Sequence, residues 1–176
     1  MSQANDTSID ARDGRCTVRR AGIAESGAAL ALLLEAAAWA AAHGIDVWRP
    51  ADLREDDFAA AARARELILG HADDKPAATM LLQFSDSVYW PEAAPGSALY
   101  IHKVAIRRAY AGQGWLARLL AFASDDARER GVPRLRLDTI LHPKLQSMYE
   151  RHGFSVLPEK PLLVAGRRMI RMERTV

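Results

Sequence analysis

Apolar and polar residues change period several times along the chain, and each change predicts an element. The alternating run "CTVRRA" predicts a first strand, after which "AALALLLEAAAWAAA" carries apolar residues at helical spacing. That helix is expected from about Ser26 to His43, with Gly44 supplying a left-handed stop. "IDVWRPADLREDDFAAAARARE" begins loop-like, has Pro50 at a boundary and becomes a second, alanine-rich helix. "ELILGH" and "AATMLLQF" read as two strands of a hairpin joined through the turn formers of "ADDKP". "SDSVYWPEAAPGSA" reads as a loop and "LYIHKVAI" as a central strand. In the next segment Leu116, Leu119, Leu120, Ala123 and Ala127 follow helical spacing, predicting a long helix from about Gly114 to Arg130 that "RGVP" ends. Strand "RLRLDTI", helix "PKLQSMYERHG" with Pro143 in its first turn, strand "FSVL" and the alternating "GRRMIRMER" complete the chain. The order β-α-α-β-β-β-α-β-α-β-β predicts a mixed α/β domain with a β-α-β crossover at its centre.

A length of 176 residues suits one domain with a real core, expected over residues 16–176. The polar stretch 1–15 is expected to be a loose tail, since it has neither the apolar segment of a signal peptide nor that of a membrane anchor. The most apolar run contains Glu35 and is short for a spanning helix, so a buried helix is the better reading. Cys16 is the only cysteine, which rules out an intrachain disulfide and fits a reducing, cytoplasmic setting. With no paired spacing among the five histidines, no metal is expected. A formal charge of +2 suits an anionic small ligand and gives no ground for nucleic acid as a partner.

Between the central strand and the long helix stands "IRRAYAGQGWLARLL", with Gly112 and Gly114 at the junction. A helix start has N–H groups without intrahelical partners and a partial positive charge, so it attracts anions. Glycines there let a phosphate come close to the amides of Gly112, Gln113, Gly114, Trp115, Leu116 and Ala117, with Arg107 and Arg108 adding attraction. A tight strand-to-helix turn would need the same glycines, so the motif alone leaves both readings open. It is neither a dinucleotide fingerprint, because Ala117 stands where a third glycine is required, nor a Walker loop, because G-K-[ST] is missing.

"LYIHKVAIRRAYAGQGWLARLL" together with "LHPKLQSMYERHGF" resembles the two central motifs of the GCN5-related N-acetyltransferase (GNAT) superfamily. The resemblance implies a mixed, mostly antiparallel twisted sheet with a splayed central strand pair and about four flanking helices. It also implies acetyl-CoA as co-substrate and transfer of an acetyl group to a primary amine by direct attack in a ternary complex. Val104, Ala105 and Ile106 then map to the strand that meets the pantetheine arm, and Gly112 through Ala117 to the pyrophosphate site. Tyr149 maps to the general acid that protonates the departing thiolate, a role open to a phenol protonated at neutral pH, although an aromatic at the core edge is the competing reading. The chain departs from the family at Ala111, Leu116 and His142, which stand where Arg or Gln, a small residue and Asn are common.

A neutral amine is needed for attack, so something must take its proton. His102 is the candidate, since alternation would put it on one strand face with Val104 and Ile106; a structural histidine is the competing reading, and His142 and Glu150 are weaker alternatives. Trp48 and Trp39 flank the segment between the first two helices, which in the superfamily helps form the acceptor pocket; Trp39 also reads as core. Tyr89 and Trp90 could contact substrate or form a homodimer surface, and Trp115 could cover the nucleotide or pack on the sheet. The arginines of the last strand read as a solvated face. A small-molecule or peptide amine is the expected acceptor, its identity left open. The alternative function is a non-catalytic acyl-CoA sensor of the same fold.

Overall fold

The computed structural model describes residues 16–176, and the predicted tail 1–15 lies outside them. The strands are β1 (Cys16–Arg20), β2 (Leu67–Ala72), β3 (Lys75–Gln83), β4 (Leu99–Ile106), β5 (Arg134–Ile140), β6 (Ser155–Val156), β7 (Leu162–Val164) and β8 (Arg167–Thr175). The helices are α1 (Ser26–Ala42), α2 (Glu55–Arg63), α3 (Trp115–Glu129) and α4 (Pro143–Glu150). These bounds follow the expected order, with β7 as the added element. "LLV" is too short to show a period, and it forms because it hairpins onto β8, Leu162 opposite Met169. The strands follow the order β1-β2-β3-β4-β5-β8-β6, with β7 on β8. The β1–β2, β2–β3, β5–β8, β6–β8 and β7–β8 pairings are antiparallel and β4–β5 is parallel, so the fold is the mixed, mostly antiparallel sheet with four helices.

The chain divides into two compact units, the first comprising 16–81 with Lys103–Phe122 and the second Leu82–His102 with Ala123–Val176. In the first, Leu32, Leu33 and Ala37 of α1 meet Phe58, Ala61 and Ala62 of α2 and Leu67 and Leu69 of β2 in one apolar cluster. Each large side chain so buried contributes about 1.5–3 kcal/mol. Together with the turn before it, the apolar helix Ile23–Ala42 reaches 20 residues, long enough by length and composition to cross a membrane. Its leucines at 32 and 33 are fully buried in this core. The β2–β3 turn is tighter than "ADDKP" suggested: Ala72 pairs with Lys75, leaving Asp73 and Asp74 as the loop, both at positive φ (47° and 63°). Such two-residue turns match the strand twist.

In the second unit β5 supplies alternating buried residues Leu135 and Leu137, and its whole length pairs with β8. The parallel β4–β5 ladder runs only from Leu99↔Leu135 to Ile101↔Leu137, while the two strands continue to Ile106 and Ile140. Just past the ladder Lys103 has φ 52°, a left-handed conformation inside a strand.

Candidate active site

The β4–α3 junction belongs to the first unit. A short 3-10 turn, Arg108–Tyr110, leads into Gly112 and Gly114 at φ 77° and 78°, where an L side chain is strained, and the glycines are therefore needed for backbone shape. The carbonyl of Gly114 accepts the first α3 hydrogen bond, from the Arg118 N–H at 3.1 Å, so Gly114 is the N-cap. Trp115, Leu116 and Ala117 then carry the first-turn amides that no intrahelical carbonyl can satisfy. Gly112, Gln113, Gly114 and Ala117 are exposed, which leaves room for an anion. One expected donor is partly engaged, because the Gln113 N–H reaches Tyr110 O at 3.3 Å.

Trp115 is only 2% exposed: its six-membered ring lies over Gly70 of β2, and Leu116 is buried beside it. Of the two readings open for Trp115, packing on the sheet is the one the structure shows, and a bulky Leu116 is accommodated because it faces the interior. Arg107 and Arg108 are held by α1. The Arg108 N–H donates to Glu35 Oε1 at 2.8 Å, Arg107 Nε lies 4.0 Å from Glu35 Oε2, and the Arg108 guanidinium stacks 4.0 Å over Trp39. Trp39 is 37% exposed and also stacks on His43, so it is a surface aromatic and the core reading is wrong for it; α1 is apolar on nearly every side and gave no clue to its outer face. Trp48 is partly buried against the apolar cluster of this unit. Val104 and Ile106 are half-buried and Ala105 is buried.

In the second unit three segments bring an acid–base group together. His102 on β4 has Nδ1 3.1 Å from Asp138 Oδ1 on β5 and Nε2 3.5 Å from Asp86 Oδ2 in the loop after β3. Tyr89 hydrogen-bonds Asp138, and burial first, then the charges of Asp138 and Asp86, push its phenol up to about 12. Tyr149 on α4 is buried, packs edge-on to Phe154 at 6.0 Å, and has its pKa raised by burial and then by the Asp138 charge. It therefore stays a protonated donor throughout the physiological range. Asp86 and Asp138 were not recognised as site residues in the sequence, because they lie far from His102 along the chain and pair only through the strand order. The left-handed Lys103 also breaks the alternation, so the shared face expected for His102 with Val104 and Ile106 does not follow. Of the alternatives, His142 is the residue before α4 with a buried Nδ1, and Glu150 is exposed and accepts from Gln146 Nε2 at 2.8 Å.

Trp90 is 3% exposed, with the Arg136 and Arg171 guanidinium groups 4.4 and 4.7 Å from its rings, so its surface reading is wrong. Arg171 also pairs with the exposed Glu92 and Glu159, and Arg174 reaches Ser124 and His152 O, so these two arginines are tied to neighbouring groups, while Arg168 of the same strand is exposed. A strand register of period two hides this, since long arginines return over neighbouring aromatics.

The model of the acetyltransferase (GNAT) family matches residues 33–154, running from within α1 through α4 and including both motifs. The chain belongs to this family. It is 26% identical over 133 residues to the uncharacterized N-acetyltransferase YesJ of Bacillus subtilis (strain 168), covering 72% of this chain and 74% of that protein. The crystal structure of a GNAT-family acetyltransferase from Listeria monocytogenes superposes with a TM-score of 0.77 at 22% identity, covering 97% of this chain and 100% of that one. The PaiA N-acetyltransferase of Thermoplasma acidophilum, solved in complex with coenzyme A, superposes with a TM-score of 0.72 at 14% identity, covering 92% and 99%. At these identities the superpositions establish the fold, and the family match establishes an N-acetyltransferase.

Proposed function

We propose that this GNAT protein transfers an acetyl group from acetyl-CoA to a primary amine by direct attack in a ternary complex. The observation that carries the donor assignment is the exposed Gly112–Gly114 turn, whose left-handed glycines cap α3 and leave the amides of Trp115, Leu116 and Ala117 for a pyrophosphate. The coenzyme A in PaiA supports it. Val104, Ala105 and Ile106 offer their backbone to the pantetheine arm, and Trp48 and Trp39 line the acceptor side in this reading.

His102 takes a proton from the acceptor ammonium, directly or through water, and the freed amine lone pair forms the C–N bond to the thioester carbonyl carbon. As the C–S bond breaks, the Tyr149 hydroxyl supplies the proton to sulfur and is reprotonated by the second proton that the new amide nitrogen sheds, directly or through water; its raised pKa keeps it a donor until a strongly basic thiolate develops. Cys16 sits on β1 and takes no part, so no covalent enzyme intermediate forms. The test is thiol release from acetyl-CoA with an amine library, alongside calorimetric binding of CoA. Amine-dependent thiol release is expected. Tight binding without turnover on any amine would instead favour the sensor reading, and no binding at all would defeat the donor assignment.

A further inference from the structure

The Asp86–His102–Asp138 group contains two buried carboxylate oxygens that the fold leaves without a hydrogen-bond donor. The side chains of Asp86 and Asp138 are 5% and 10% exposed, yet Asp86 Oδ2 and Asp138 Oδ1 accept no hydrogen bond among the described residues. Each faces a nitrogen of His102, with which it forms an ion pair when the ring is protonated. Asp86 is fixed in this pose because its Oδ1 accepts the N–H groups of Val88 at 3.0 Å and Tyr89 at 2.9 Å, which directs Oδ2 to the ring. A buried carboxylate oxygen without a donor costs free energy that a bound cation would recover.

One ligand atom from each of the three residues lies within 4.8 Å of the others, so a single cation can touch all three. An ammonium nitrogen at about 2.8 Å from each oxygen bridges up to about 5.6 Å. A zinc-type ion with bonds of about 2.0–2.2 Å bridges only about 4.4 Å. An ammonium reaches across every separation within that limit, and a zinc-type ion only across the shorter ones.

We infer that Asp86 and Asp138 seat the ammonium group of the acceptor beside His102, so that the acceptor class is an alkylamine taken up as its cation. This rests on the transferase reading and deepens it. An acceptor bearing a carboxylate next to the reacting amine, as an α-amino acid does, would be repelled by the same two side chains. The pair act as positioning residues: they hold the nitrogen where His102 can take its proton.

The test measures binding of n-pentylamine, 1-pentanol and norleucine to the CoA-loaded protein by calorimetry at neutral pH, for wild type, Asp86→Asn, Asp138→Asn and Asp138→Glu. Pentylammonium is expected to bind at least about tenfold more tightly than either competitor, each Asn variant to lose about tenfold or more, and Asp138→Glu to recover part of the loss. Unchanged CoA affinity and melting temperature in the variants separate the loss from misfolding; should an Asn variant unfold, the alcohol and norleucine comparisons in wild type still decide. Absence of saturable amine binding, equal binding of the alcohol, or amine affinity indifferent to both Asn changes overturns the proposal. So does carboxylate-dependent capture of Mn²⁺ or Zn²⁺ by a protein that ignores the amine. Thiol release that persists while ammonium binding ignores both variants sinks the cradle and spares the transferase; carboxylate-dependent ammonium binding with no thiol release on any amine does the reverse.

Discussion

Gly70→Ala tests whether the placement of the α3 start depends on one missing methyl group. A Cβ at position 70 would stand 2.6 Å from Trp115 Cζ3 and 2.9 Å from Cε3. Ordinary carbon contacts are about 3.5–4.0 Å, so the indole must retreat by about 1 Å. It has little room to do so: Trp115 is 2% exposed and Tyr110 lies against its edge, centroids 6.3 Å apart. Overpacking of this kind costs about 1–3 kcal/mol, which for a chain of this length lowers Tm by about 3–10 °C. Because Trp115 is the first residue of α3, the same displacement should weaken CoA binding. Scanning calorimetry and CoA titration read both effects. The decisive comparison is Gly70→Ala in a Trp115→Phe background: the smaller ring removes the clash, so the second Gly70→Ala should cost less than about 0.5 kcal/mol. Two substitutions whose costs simply add, within the usual scatter of about 0.3–0.5 kcal/mol, would refute the steric argument.

Valine at Gly112 or Gly114 must adopt a φ near 77–78°, so either variant should lose about 1–3 kcal/mol of stability and at least tenfold in CoA affinity; calorimetry showing unaltered CoA affinity would remove the amide cradle. Tyr149→Phe should lower kcat with acetyl-CoA by about tenfold or more while CoA affinity holds, and unchanged kcat on an accepted amine would take Tyr149 out of the mechanism. Folding raises the phenol pKa of Tyr89 to about 12 and also that of Tyr149, so the folded chain holds these protons more tightly than the unfolded one. The contribution of these two phenols to stability should be level below about pH 10 and fall as pH rises beyond it. Denaturant titrations should show that decline flattened in Tyr89→Phe, and an identical decline would contradict the burial of this phenol.

Helical and strand periods carried most of the fold, because α2, α3 and β5 each bury one face and so leave a periodic trace in the sequence. They failed where burial is not periodic. The nearly all-apolar α1 hid the exposure of Trp39, and β7 is too short to show any pattern. The glycine turn was legible since backbone conformation selects residue type directly. The acid–base group was only one-third legible: His102 was found through its strand motif, whereas Asp138 and Asp86 reach it through sheet order and a loop. A carboxylate in a loop looks like any solvated turn former until its burial is known.

The residue between the two chemistries is Lys103, at φ 52° in a strand, immediately after the last β4–β5 pair at Ile101↔Leu137 and His102. A lysine there costs about 1 kcal/mol relative to a residue free to adopt left-handed geometry, so the fold imposes the bend against local preference. In the chain it stands between His102 and the run Val104–Ile106 proposed to offer backbone to the pantetheine arm. Lys103→Gly relieves the conformational cost but loosens the unfolded chain by a similar amount, so its net effect on stability should be within about 1 kcal/mol. Lys103→Val meets both the left-handed penalty and its branched Cβ, and should cost about 1–3 kcal/mol, with kcat falling further than in the glycine variant. If valine is accepted at no cost to Tm or kcat, the bend is not imposed by the fold, and the assignment of separate roles to the two halves of β4 loses its physical basis.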